Sequence, residues 1–333
     1  MRFGPVPLEE AEGAVLAHSA DLRGGRLRKG RVLGAGDLAR MVAEGWSDVI
    51  VARLDPGDVG EDAAAGRLAE ALSGPGLEVR PPFTGRANLH AEGPGVLEVD
   101  AAAVDAVNAV DPMLTVATLP RWQRVAAGTM AATVKVIAFG VDGGALERAC
   151  AAGRGALRLR APVIDRAALI VTTLPGAPTK AGAVVDRLAR LGIACDVVEV
   201  PHEAGALARA LAAADAPLRL ILTASATSDP DDVGPSALRA AGGTVERLGM
   251  PVDPGNLLFL GTLDGAGVLG LPGCARSPAL NGADWVLERI ACGVPVTAGD
   301  IARMGVGGLL GEIPTRPQPR ERGRPAPGAG ATE

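Results

Sequence analysis

Ala168-Leu169-Ile170-Val171-Thr172-Thr173-Leu174-Pro175-Gly176 decides the fold class. Four uninterrupted apolar residues, two hydroxyls and a Pro-Gly turn read as a strand buried on both faces that runs out into a loop. Similar strand candidates follow at Cys195–Val200, Leu218–Leu222, Thr244–Leu248, Leu257–Leu260 and Val268–Leu271. Helical stretches separate most of them, at about 179–191, 203–213, 233–241 and 279–292. In the first of these, Val184, Val185, Leu188 and Leu191 share one face. Short apolar strands alternating with helices of this length imply βαβ units and a mostly parallel sheet.

Upstream of residue 160 the pattern is different. Asp37–Glu44 reads as a helix and Asp48–Ala52 as a strand. Asp58–Leu72 reads as a helix with Asp58 as its N-cap. Strands are expected at Ala87–Ala91, Val96–Val99 and Thr129–Phe139, with helices at Ala101–Val110 and Ala145–Ala152. The expected organisation is a smaller, β-rich α+β region over 1–160, an α/β domain over 161–310, and a disordered Pro/Arg/Gly-rich tail over 314–333 with almost nothing to bury.

Composition removes several function classes. The net charge of −5 gives no electrostatic case for nucleic acid, and three Trp, four Phe and no Tyr leave little for base stacking. No run of about 18 apolar residues is present, and Met1–Pro7 lacks the apolar stretch of a signal peptide. The four cysteines form no C-x-x-C pair, and His18, His90 and His202 show no metal spacing. These features point to a cytoplasmic protein with neither membrane nor nucleic acid as partner. His202, directly after Pro201 at a helix start, reads as a capping or packing residue. Arg23–Arg31 packs five cations into nine residues around a Gly pair and reads as a solvated loop tip.

In an open α/β sheet, ligands bind beyond the carboxyl ends of the strands. That rule selects three loops. The first begins at Thr172 and Thr173. The second is Thr223-Ala224-Ser225-Ala226-Thr227-Ser228-Asp229-Pro230-Asp231-Asp232, where hydroxyls precede three carboxylates. Thr223, Ser225, Thr227 and Ser228 suit a phosphate. Asp229, Asp231 and Asp232 suit Mg²⁺, a hard cation that takes oxygen ligands. Capping of the following helix by Asp229 or Asp231 is the other reading, and spacing leaves both open. The third loop, Pro272-Gly273-Cys274-Ala275-Arg276-Ser277-Pro278, sets Arg276 and Ser277 ahead of a helix, where a phosphate would meet unpaired N–H groups and a guanidinium. A tight turn with a solvated arginine is equally open.

Three segments together resemble the molybdopterin-binding domain family of molybdenum-cofactor biosynthesis. Gly270-Leu271-Pro272-Gly273-Cys274-Ala275-Arg276-Ser277 resembles that family's Leu-Pro-Gly-Asn-Pro loop. Val252-Asp253-Pro254-Gly255-Asn256 resembles its Pro-Gly-Lys segment. Ser225–Val233 with Gly242-Gly243-Thr244-Val245 resembles its hydroxyl- and glycine-rich loop ending in an acidic residue. Glu9–Ala17, Lys29–Leu33, Thr84–Asn88 and Ala127–Phe139 look like the larger members, including a subfamily sometimes fused to a nucleotidyltransferase.

The resemblance implies a three-layer α/β/α domain, molybdopterin or its nucleotide form as ligand, and a cytoplasmic homo-oligomer. It implies a molybdopterin molybdotransferase-like activity, with molybdate inserted in a Mg²⁺-dependent reaction and Asp231 in catalysis or metal binding. Pro272, Gly273 and Arg276 match the phosphate-side loop, and Gly255 and Asn256 the turn before the next strand. The departures are specific. Thr223–Ser228 contains no glycine, Asn256 stands where the family has lysine, and Leu174-Pro175-Gly176 replaces an acidic residue. They favour the alternative of a non-catalytic carrier that hands molybdopterin to a separate nucleotidyltransferase or a molybdoenzyme maturation factor. A different nucleotide or phosphorylated ligand is the third possibility, since fold does not fix function.

Overall fold

The computed structural model describes residues 1–176 and 179–310; the tail expected over 314–333 lies outside them. The chain divides into two compact units, Met1–Pro162 and a second that begins at Val163.

The first unit mixes helices with antiparallel sheets. Leu114–Thr118, Met130–Val136, Arg86–Ala91 and Leu77–Val79 form a four-stranded sheet in that order. Its apolar face joins Leu68, Leu72 and Leu146 in one core. Arg2–Pro7, Asp48–Arg53 and Val15–Leu16 form a second sheet with its own core of Leu16, Leu33, Met41 and Val51. The helix expected from Asp58 begins at Glu61, with Gly60 as N-cap. Asp58 instead lies in the strand Asp58–Gly60, paired with Gly140–Asp142. Its carboxylate accepts from the Asp55 N–H at 2.8 Å and pairs with the Met1 ammonium at 2.7 Å. Its Oδ2 is thus committed upstream, and the helix start falls to Gly60. The Arg23–Arg31 stretch supplies the turn and second strand of the tight hairpin Ala20–Leu22/Gly25–Leu27.

The second unit is an α/β domain on one six-stranded sheet. Its order is Ala194–Pro201, Arg166–Thr173, Leu218–Leu222, Ala266–Gly270, Phe259–Leu263, Thr244–Leu248. The first four strands are parallel to one another. The last two are antiparallel additions. Burial explains the unbroken apolar runs: Leu169, Ile170, Leu220, Ile221, Val268 and Leu269 are all fully buried. Ile170, Ile221, Val268 and Phe259 pack with Leu207, Leu211, Ala237 and Leu238 of the helices Ala204–Ala213 and Val233–Ala240. The helices Gly182–Ala189 and Gly282–Ala291 are tied to each other by Arg187 and Asp284.

Phe259 is the largest fully buried side chain of the described residues, and Gly270 makes room for it. A Cβ on Gly270 would lie 1.9 Å from Phe259 Cε1. The outer strand Ala194–Pro201 is mostly exposed and, among the described residues, pairs on one side only, with Asp196 and Glu199 along it.

Candidate functional site

The strand Arg166–Thr173 ends in Thr172, which is buried, and Thr173, half-buried beside it. Thr172 Oγ1 accepts a hydrogen bond from the Ala224 N–H at 2.8 Å, so the end of this strand holds the start of the loop that follows Leu218–Leu222. Thr223 fixes that loop from within. Its Oγ1 donates to the Ser225 carbonyl at 2.7 Å and lies 3.4 Å from Thr227 Oγ1; both threonines are buried. The third loop closes on the second, because Arg276 Nη2 donates to the Thr223 carbonyl at 2.7 Å. The three segments therefore meet. Between them is a cavity of about 100 Å³ lined by Val171, Thr172, Thr173, Leu174, Thr179, Lys180, Ala224 and Arg276. Burial pulls the Arg276 guanidinium below its ordinary value; it stays a cation all the same. Two cations, three threonine hydroxyls and a backbone segment surround this small void, a chemistry suited to an anion.

The third loop differs from expectation in one respect. Gly273–Arg276 is a single 3₁₀ turn after Pro272, and the next helix starts only at Gly282. That helix is capped by its own residues: Asn281 Oδ1 accepts from the Ala283 N–H at 2.9 Å, and Asp284 Oδ2 from the Asn281 N–H at 2.8 Å. Arg276 and Ser277 thus do not stand at a helix N-terminus, and what Arg276 brings to the cavity lining is a guanidinium charge. The Ser277 Oγ accepts from the Ala279 N–H at 3.2 Å, which keeps it within its own loop.

The carboxylates have local partners. Asp232 is the N-cap of Val233–Ala240, yet its Oδ2 turns backwards to accept from the N–H groups of Ser228 at 2.6 Å and Asp229 at 2.9 Å. Those two backbone bonds hold its carboxyl below the usual range. Asp229 Oδ1 accepts from the Asp231 N–H, and Asp231 pairs with Arg239 at 2.8 Å. Among the described residues no group of three or more His, Cys, Asp or Glu side chains is arranged to hold a metal ion. The expected Mg²⁺ set of Asp229, Asp231 and Asp232 is not gathered into one group: one oxygen of each carboxylate is engaged in a local turn or by Arg239.

Gly255 and Asn256 sit apart from the cavity lining. Gly255 has φ +142, and a Cβ there would meet Gly282 N at 2.7 Å, so the glycine lets the 253–256 turn press against the start of the Gly282–Ala291 helix. Asn256 Nδ2 reaches the Met250 carbonyl at 3.4 Å. Both shape the turn.

Two residues of the site escape sequence reasoning. His202 bridges two loops: its Nδ1 is 2.8 Å from Thr172 Oγ1 and its Nε2 is 2.8 Å from Ser225 Oγ. Arg187 is buried beneath the third loop. It pairs with Asp284 and donates to the carbonyls of Ala275 at 2.8 Å, Ser277 at 2.8 Å and Ala279 at 2.9 Å. A cation in the middle of an apolar helix stripe was its one signal; for His202 the sequence held none.

A family model described as a domain of unknown function (DUF8806) matches residues 5–53. No curated protein matches the chain. Among solved structures the chain is similar to the molybdopterin biosynthesis moea protein from Pyrococcus horikosii, with 14% identity, a TM-score of 0.32, and coverage of 91% of this chain and 77% of that one. Among the described residues no helix is long and apolar enough to cross a membrane.

Proposed function

We propose that the second unit, over 161–310, is a three-layer α/β/α molybdopterin-binding domain that holds the phosphate end of molybdopterin, or of its nucleotide form, in the cavity between Thr172, Ala224 and Arg276. The observation that carries this is the meeting of three loops: Arg276 reaches the Thr223 carbonyl while Thr172 holds the Ala224 amide. Two of these loops, Thr223–Asp232 and Pro272–Pro278, carry residues that resemble the molybdopterin-binding family. At about 100 Å³ the cavity is far below the roughly 300–1,000 Å³ of sites that enclose a drug-sized ligand. It therefore takes the phosphate, and the pterin lies outward over the loops.

Between the transferase and the carrier, the carrier is favoured. Asp231 is paired with Arg239, and Asp232 is committed to two amides. Among the described residues no group of three or more carboxylate, His or Cys side chains is arranged to hold Mg²⁺, which also favours the carrier. In this reading the protein carries the cofactor as a cytoplasmic homo-oligomer and passes it to a nucleotidyltransferase or a molybdoenzyme maturation factor.

Titration with molybdopterin tests the binding claim; no binding at tens of micromolar refutes it. Arg276→Ala should cost about 1–3 kcal/mol of that affinity, the scale of a hydrogen bond to a charged group. Formation of active cofactor dependent on both molybdate and Mg²⁺ would exclude a pure carrier.

A further inference from the structure

His202 joins two hydroxyls that lie on different loops, and the donor count around it is closed. A neutral imidazole has one N–H and one acceptor nitrogen. With hydroxyls at 2.8 Å from both ring nitrogens, one hydroxyl must give its hydrogen to the ring and the other must receive the ring's hydrogen. Thr172 Oγ1 also accepts from the Ala224 N–H. Thr172 lines the cavity and is buried, whereas Ser225 is exposed and is not among the lining residues. His202 is held beside the end of the strand by its backbone, since its N–H donates to the Thr173 carbonyl at 3.0 Å.

The geometry points to His202 as the positioning residue of the anion cavity: its Nδ1–H, supported by the Ser225 hydroxyl at Nε2, fills the second acceptor site of Thr172 Oγ1 and so turns the Thr172 hydroxyl hydrogen into the cavity. Two incoming hydrogens, from Ala224 N and His202 Nδ1, saturate the lone pairs of Thr172 Oγ1. Among the described residues its own hydrogen then meets no other acceptor, and it serves the ligand, beside the charges of Arg276 and Lys180. The opposite tautomer would spend that hydrogen on the ring and leave the cavity one donor short. The ligand chemistry is a phosphate group, which offers acceptor oxygens to all of these donors. This inference rests on the anion-cavity reading above. It adds that a hydroxyl, pre-set by an imidazole, is part of the receptor.

The test uses the full chain with inorganic phosphate as the probe. The wild type is compared with His202→Ala, His202→Asn and His202→Gln. An Asn amide can place an N–H where Nδ1 stands, whereas a Gln amide reaches only toward the Nε2 position. His202→Ala should weaken phosphate binding roughly tenfold, the scale of a lost bond to a charged acceptor. His202→Asn should restore most of it and His202→Gln should not. Imidazole ¹⁵N signals, assigned by their loss in His202→Asn among the three histidines, should show the Nδ1–H form. Wild-type affinity in His202→Ala overturns the proposal, as does His202→Asn binding no better than His202→Ala. An Nε2–H ring overturns it as well. Should the wild type itself fail to bind phosphate, the cavity reading falls; the tautomer still decides the hydrogen arrangement.

Discussion

Replacing Arg187 by Met should remove the support beneath the third loop and cost far more than any exposed ion pair in the chain. The guanidinium is about as buried as its partner, with 7% and 6% of the two side chains exposed. It serves Asp284 and the carbonyls of Ala183, Ala275, Ser277 and Ala279. At about 1.5–3 kcal/mol for each bond to a charged group, a simple sum reaches the whole stability of a typical domain, roughly 5–15 kcal/mol, so the sum overcounts. The cost of unpairing a buried charge, about 3–5 kcal/mol, is the better guide, because Met fills the volume and the main loss is a stranded Asp284. For a loss of about 4 kcal/mol and a urea m-value near 2 kcal/mol/M, the unfolding midpoint falls by about 2 M. Trp285 fluorescence reports this unit once Trp46 and Trp122 are replaced by Phe. Adding Asp284→Asn should recover on the order of half the loss, because it neutralises the stranded carboxylate. A midpoint shift below about 0.5 M, or no recovery in the double variant, would refute this account of the buried pair.

Gly270→Ala should destabilise the second unit by about 3 kcal/mol, the upper end of overpacking, since its Cβ would fall 1.9 Å from Phe259 Cε1. Phe259→Leu in the same chain should raise the melting temperature again if the ring is the obstacle. Cys195, pushed up to about 11 chiefly by burial and then by Asp196, should alkylate at pH 8 about a hundredfold more slowly than a thiol at its ordinary 9.0, read by mass spectrometry. Asp232 has its carboxyl lowered from 3.8 by the Ser228 and Asp229 amides. Its hold on the loop is therefore full above that ordinary value and is lost as pH falls through the lowered one. Those two amide resonances should shift only on strong acidification; a transition centred above pH 4 would contradict the hydrogen bonds.

The strands of the second unit were legible because parallel strands buried on both faces leave continuous apolar runs, as at Leu169–Val171 and Leu218–Leu222. The loops that follow them were legible for the same reason. Arg2–Pro7 was not read as a strand, because Pro5 and Pro7 break the usual pattern; it lies at a sheet edge, where proline is tolerated. Partners remote in sequence were out of reach. Asp284 is 97 residues from Arg187, and Thr172 is 30 residues from His202. A carboxylate that folds backwards, as Asp232 does, looks in sequence like an ordinary cap or a metal ligand. Spacing counts residues but not the direction of an oxygen.

Among the described residues the outer strand Ala194–Pro201 leaves one row of peptide groups without a sheet neighbour, and Val197 and Val198 stand exposed on it. Such a rim invites another chain to add itself and lengthen the sheet without end. Asp196 and Glu199 answer that hazard by mutual repulsion: two copies brought rim to rim bring like charges together in a desolvated seam. The free rim of the sheet thus carries a fence of negative charge that disfavours pairing with a second copy of itself.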